Sequence, residues 1–154
     1  MSRAFVKEDN DSGGEDLPER LVSPHPNLVT SEGLKAIEAE VARLDKAYAS
    51  AQAEADRAAL AATARDLRYW SERLATAELT LAPDSANEVR FGSRVTFGRA
   101  DGRRQVYRIV GEDEADPTKG TLSYVSPLAR ALIGKAAGDT VASPAGDIEI
   151  IEVE

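Results

Sequence analysis

The sequence predicts an α+β protein: an N-terminal antiparallel coiled-coil helical hairpin, then a small antiparallel β domain with one short helix. Three observations predict it. Apolar residues recur at alternating three- and four-residue intervals through residues 31–82. After Pro83 the pattern changes to short β-rich runs separated by turn dipeptides. The first thirty residues follow neither period. The expected division is therefore a tail over 1–30, a hairpin over 31–83 and a β domain over 84–154.

Residues 1–30 are read as an acidic, disordered tail. Asp, Glu, Ser and Gly dominate up to Asp16, and Pro18, Pro24 and Pro26 punctuate the remainder. Such a stretch buries too little apolar surface to offset the entropy of ordering it. Within it only Ala4, Phe5 and Val6 read as a short docking motif.

The helical segment opens at "TSEGLKAIEAEVARL", where Thr30 or Ser31 is a capping residue with an acid in the first turn. One seam runs Leu34, Ile37, Val41, Leu44, Tyr48, Ala51, Ala55. A second runs Leu60, Thr63, Leu67, Trp70, Leu74, Ala77, Leu81, and Pro83 ends it. No Gly or Pro marks a turn between the seams, so one continuous helix of about fifty residues also satisfies the local pattern. That helix would expose its seam unless a second chain covered it. A hairpin turning near Glu54–Ala58 covers both seams within one chain, and is the expectation.

In the last third, "VRFGSRVTFGRADGRRQVYRIVG" places two strand-like runs around Asp101-Gly102, a hairpin signal. "TLSYVS" is a third strand. "PLARALIG" starts with Pro and ends at Gly134, the asymmetry of a short helix. "DTVAS" and "DIEIIEVE" flank Pro144-Ala145-Gly146 as a closing hairpin.

Composition excludes several functions. The chain has no Cys and a single His, His25, placed between two prolines. That removes disulfides, thiolate chemistry, Ser-His nucleophile pairs and His-based metal sites. Neither a GxxxxGK[ST] nor a GxGxxG loop occurs. The net charge of −8 is spread over all three segments, which disfavours autonomous binding to duplex nucleic acid. No apolar run is long enough for a membrane span, and "MSRAFVKEDNDSGGEDLPER" lacks the apolar core of a secretory signal. A cytoplasmic protein with no cofactor and no catalytic constellation of its own is the expectation.

Remaining polar clusters have plain structural readings. "GEDEADP" (111–117) lacks the ligand alternation of a calcium loop and reads as an acidic surface loop. Arg99, Arg103, Arg104 and Arg108 solubilise the first β-hairpin. Trp70, in register with its seam, fills the helical core. Glu54 and Asp56 stand at the expected hairpin tip; they are solvated charges, or a carboxylate pair able to help hold a magnesium ion in another protein's active site.

A coiled-coil hairpin leading into a β domain that carries "YRIVGEDEAD" (107–116) and "SPLARALIGKAAGDTV" (126–141) resembles the bacterial Gre transcription elongation factors, GreA and GreB. The opening "MSRAFVKE" is similar to a Gre-like subgroup with an extended tail. The resemblance implies an FKBP-like C-terminal domain that docks on the rim of the RNA polymerase secondary channel, with the hairpin inserted down the channel. It carries Ser126 and Pro127 over as partner-binding residues, with Val125 beside them. It implies a monomer that meets nucleic acid only through the polymerase.

The hairpin departs from the family pattern. Cleavage-competent members carry an acidic tip word, Gly-Asp-Leu-x-Glu-Asn-Ala-Glu-Tyr; here "AEADRAAL" (53–60) stands in its place. Each arm, at about 25 residues or a rod of roughly 35 Å, is short by two or more turns. The expectation is a polymerase-binding regulator without transcript-cleavage activity. The alternative is a factor stimulating metal-assisted cleavage of backtracked RNA, with Glu54 and Asp56 helping to hold a magnesium in the polymerase. A prolyl isomerase, the third reading, is disfavoured because residues 88–154 supply only Phe91, Phe97, Tyr107 and Tyr124 as aromatics.

Overall fold

The computed structural model describes residues 17–154. The chain runs β1 (Leu28–Val29), α1 (Ser31–Ala53), α2 (Arg57–Thr76), β2 (Glu78–Leu79), β3 (Arg94–Arg99), β4 (Arg104–Val110), a 3-10 turn at Pro117–Lys119, β5 (Thr121–Ser123), α3 (Pro127–Leu132), β6 (Thr140–Ser143) and β7 (Gly146–Val153). It forms two compact units. One joins residues 17–23 to Glu38–Ala75; the other joins Pro24–Ile37 to Thr76–Glu154.

In the helical unit the chain reverses at 54–56, so the continuous helix is excluded. Ala55 takes a left-handed φ of 53°. Asp56 N donates to Ala51 O at 3.0 Å and Ala55 N to Gln52 O at 3.2 Å, the paired closing bonds of a Schellman turn. The first seam is buried or half-buried from Leu34 to Ala51, with Leu44 2% and Ala51 4% exposed, while Ala55, its last expected position, is exposed because it makes the turn. The second seam holds as far as Leu74, half-buried along with Trp70. Arg73, a polar residue on that helix, is buried as well. Among the described residues no helix is long and apolar enough to cross a membrane.

α2 ends at Thr76, seven residues before Pro83, where the sequence places its end. Leu81, expected in the seam, is exposed. The reason is a competing partner: Glu78 N donates to Asn27 O at 2.8 Å and Thr80 N to Val29 O at 2.9 Å, pairing β2 with β1 in parallel. This pairing also corrects the extent of the tail. Asn27, Val29 and Thr30 are buried, so these residues, expected within a tail over 1–30, belong to the folded unit. Ala4, Phe5 and Val6 lie outside the described residues.

In the second unit five strands form one sheet in the order β5-β4-β3-β7-β6. β3 pairs antiparallel with β4 and β7, and β6 with β7. β5 lies parallel to β4, a departure from the all-antiparallel expectation. The loop of residues 111–120 carries the chain back past β4 before β5 begins, which a tight hairpin cannot do. Val95, Phe97, Ile109, Leu132, Ile148 and Ile150 form the centre of the core with Ala129 of α3. Each fully buried side chain of this size contributes about 1.5–3 kcal/mol, and together they seat α3 against the sheet.

Candidate functional site

The turn between β5 and α3 gathers the three partner-binding candidates. After Ser123, Val125 N donates to Ser123 Oγ at 3.3 Å and Ser126 N to Ser123 O at 3.0 Å. Ser126 is extended (φ −63°, ψ 151°), and its Oγ accepts from Ala129 N at 3.2 Å, capping α3. Pro127 takes the first helical position, where its missing N–H costs nothing. Ala129 and Leu132 anchor the helix in the core, while Pro127 faces solvent and Val125 and Ser126 are half-buried. Beside them the Tyr124 ring meets Phe91 edge-on at 5.7 Å, and its hydroxyl donates to the Pro26 carbonyl. The result is a fixed, partly apolar knob.

The hairpin tip places Glu54 and Asp56 in one exposed turn. They are not equivalent. Asp56 Oδ1 accepts from Ala59 N at 3.0 Å, so this carboxylate caps α2 and is tied to its first turn. Glu54 makes no such bond and stands in solvent.

Three features of the structure have no counterpart in the sequence-based expectations. First, Glu114, which the sequence places in an acidic surface loop, reaches the start of α1. Its Oε2 accepts from Thr30 N at 3.0 Å and from Gly111 N at 3.3 Å, and its Oε1 accepts from the Thr30 hydroxyl. Thr30 Oγ1 in turn accepts from Gly33 N at 3.0 Å, making Thr30 the cap of α1. A Cβ on Gly33 would stand 2.1 Å from Glu114 Oε2, so only glycine admits this clasp. Nothing local in the sequence announces a contact across 84 positions. Second, the same loop is tied down again at Asp116. Its Oδ1 accepts from Thr118 N at 3.0 Å, and the Thr118 hydrogen bonds hold its carboxyl below the usual range.

Third, residues 17–23 lie along the hairpin as a strap. Glu19 pairs with Arg68, which holds its carboxyl below the usual range. The Arg20 guanidinium sits 4.0 Å from the Tyr69 ring centre and 5.6 Å from that of Trp70, and pairs with Asp66 at 3.4 Å. A run of Pro and charge gives no periodic signal for this.

Residues 83–154, the β domain, match the family model "Transcription elongation factor, GreA/GreB, C-term". A GreA from Hyphomonas neptunium is 47% identical over 88 residues, covering 53% of this chain and 56% of that one. A GreA from Legionella pneumophila is 38% identical over 159 residues, covering 86% of this chain and 98% of that one. Among solved structures, GreA factor homolog 1 of Thermus thermophilus superposes with a TM-score of 0.40 at 19% identity, over 84% of this chain and 99% of that one. With the Legionella relative matched over nearly its whole length, the chain belongs to the GreA/GreB family of transcription elongation factors.

Proposed function

We propose that this chain regulates transcription elongation by docking on RNA polymerase at the secondary-channel rim through Val125, Ser126 and Pro127, without stimulating transcript cleavage. The observation that carries the non-catalytic reading is the tip. Where cleavage-competent relatives carry their acidic word, this chain has a tight turn in which Asp56 caps a helix, leaving Glu54 as its one uncommitted carboxylate. Hairpin length supports the same reading. α1 has 23 residues and α2 has 20, rods of about 35 and 30 Å, shorter than the arms of the family pattern. The protein acts as a monomer in the cytoplasm, has no cofactor, and meets RNA only through the polymerase.

The test is cleavage of the RNA 3′ end in backtracked elongation complexes made with polymerase from the same organism. The expected result is no stimulation, and suppression of cleavage promoted by an active Gre factor. Stimulation that disappears in Glu54→Gln/Asp56→Asn would overturn it in favour of the cleavage-factor reading; Asn caps as well as Asp, so that variant keeps the turn. For docking, Ser126→Asp with Pro127→Glu keeps the helix start capped but replaces the apolar knob with charge. Polymerase binding should be lost, and unchanged binding would reject these residues as the handle.

A further inference from the structure

The strap on the hairpin has a direction. Arg20 lies over Tyr69 and Trp70, Glu19 pairs with Arg68, and Leu17 borders a groove with Arg57, Leu60, Ala61 and Ala64. Going backwards along the strap therefore moves along α2 from Trp70 towards its start at Arg57, which is the hairpin tip. Leu17, the first described residue, lies at this groove. Tyr48 of α1 completes the lining, and the groove encloses about 320 Å³, room for a large side chain.

We propose that this groove is the seat of the protein's own N-terminal segment, with Ala4, Phe5 and Val6 as the apolar anchor. Three observations choose this occupant over a second copy or a foreign peptide. The strap already delivers the segment to the groove, so its effective concentration there is that of a short tether. The lining pairs an apolar floor with two guanidinium groups, Arg57 and Arg68, while the segment offers one apolar cluster followed by Glu8, Asp9, Asp11, Glu15 and Asp16. Arg57 makes no ion pair with any described residue, so it is open to these carboxylates; Arg68 already holds Glu19. Finally, the connection is long enough. Ten residues separate Val6 from Leu17, about 33 Å when extended, and Gly13-Gly14 among them permits the reversal that returns Phe5 to the groove.

Docking in this way carries the acidic stretch 8–16 to the tip end of the hairpin, beside Glu54 and Asp56. The charge presented at the tip is then set by the tail as much as by the turn. This holds for the free protein and does not depend on how the polymerase is engaged.

Because the protein contains no cysteine, Lys7→Cys places a single spin label next to the anchor in the full chain. Paramagnetic broadening of methyl signals then reports where the label sits. The expected result is loss of the Leu60, Ala61 and Ala64 methyl signals with Val141 and Ile148 of the β domain unaffected, and their recovery when Phe5→Ser is added. Broadening that spares the groove, or broadening of the groove that Phe5→Ser leaves unchanged, would overturn the proposal. The second outcome would mean that the tail is near the groove only because it is tethered there.

Discussion

The two long helices begin in opposite ways. α2 is capped from within its own turn, by Asp56 reaching three residues forward to Ala59 N. α1 is capped by Thr30, and Thr30 is itself held by Glu114, which binds its N–H and its hydroxyl from 84 positions away. The first device needs only a local sequence. The second exists only when the β domain has folded. The hairpin turn is thus a local product of its sequence, whereas the base of α1 is fastened by tertiary structure.

The sharpest way to break this contrast is Glu114→Ala. It leaves Thr30 N, the Thr30 hydroxyl and Gly111 N without their shared acceptor. A loss of about 2–3 kcal/mol is expected, lowering Tm by about 5–10 °C in a chain of this size. Gly33→Ala attacks the same clasp from the other side, because the new methyl occupies the carboxylate's position. The two should not add. Once Glu114 is gone, Ala at position 33 meets no obstacle and gains its better helix propensity, about 1 kcal/mol over Gly. Thermal unfolding of the two single variants and the double variant measures this coupling, and simple additivity would show that the clasp is not the shared cause.

Effects at the tip are smaller because only a local cap is at stake. Asp56→Ala is expected to cost about 1 kcal/mol, Asp56→Asn much less, and Glu54→Ala less than about 0.5 kcal/mol. Equal losses at 54 and 56 in denaturant titrations would remove the distinction drawn between these carboxylates. Ala55→Gly works in the opposite direction. It relieves a Cβ held at φ 53°, worth about 1–2 kcal/mol, but gives back part of that in chain entropy, for a net gain of about 0.5 kcal/mol.

The same contrast explains what could be read from the sequence. The seam through Ile37, Leu44 and Ala51, the Asp101-Gly102 hairpin and the Pro127-to-Gly134 helix all rest on spacing or on single residues with fixed dihedral preferences. Each was legible. The end of α2 at Thr76 was not, since no Gly or Pro stands there and the helix yields instead to pairing with Leu28–Val29. The parallel placement of β5 depends in the same way on the loop that carries the chain back past β4. Glu114 is the clearest case: in a run of four acids, composition does not say which one is functional in the fold.

The strap should give the smallest effect, and it tests whether a segment without a periodic signal is held by charge. Its carboxylate, Glu19, is kept below the usual range chiefly by the hydrogen bond from Arg68. A depressed carboxyl stabilises the docked form at every pH above its unfolded value of 4.5, and that contribution is lost as pH falls through the lower folded value. Both partners are largely exposed, so salt should weaken the pair further. Trp70 is the only tryptophan, and Arg20 of the strap lies near its ring, so its emission reports whether the strap is seated. Acidification from neutral pH should leave that emission flat until below about pH 4.5 and then change it. In Glu19→Gln the change should already be partly present at neutral pH, and the acid step should shrink. An acid step of full size in that variant would show that the Glu19–Arg68 pair is not its origin. Either way the strap is fastened by individual side-chain contacts, the Glu19 and Arg20 ion pairs and Arg20 over two rings, which is why neither hydrophobic period nor turn chemistry marks it in the sequence.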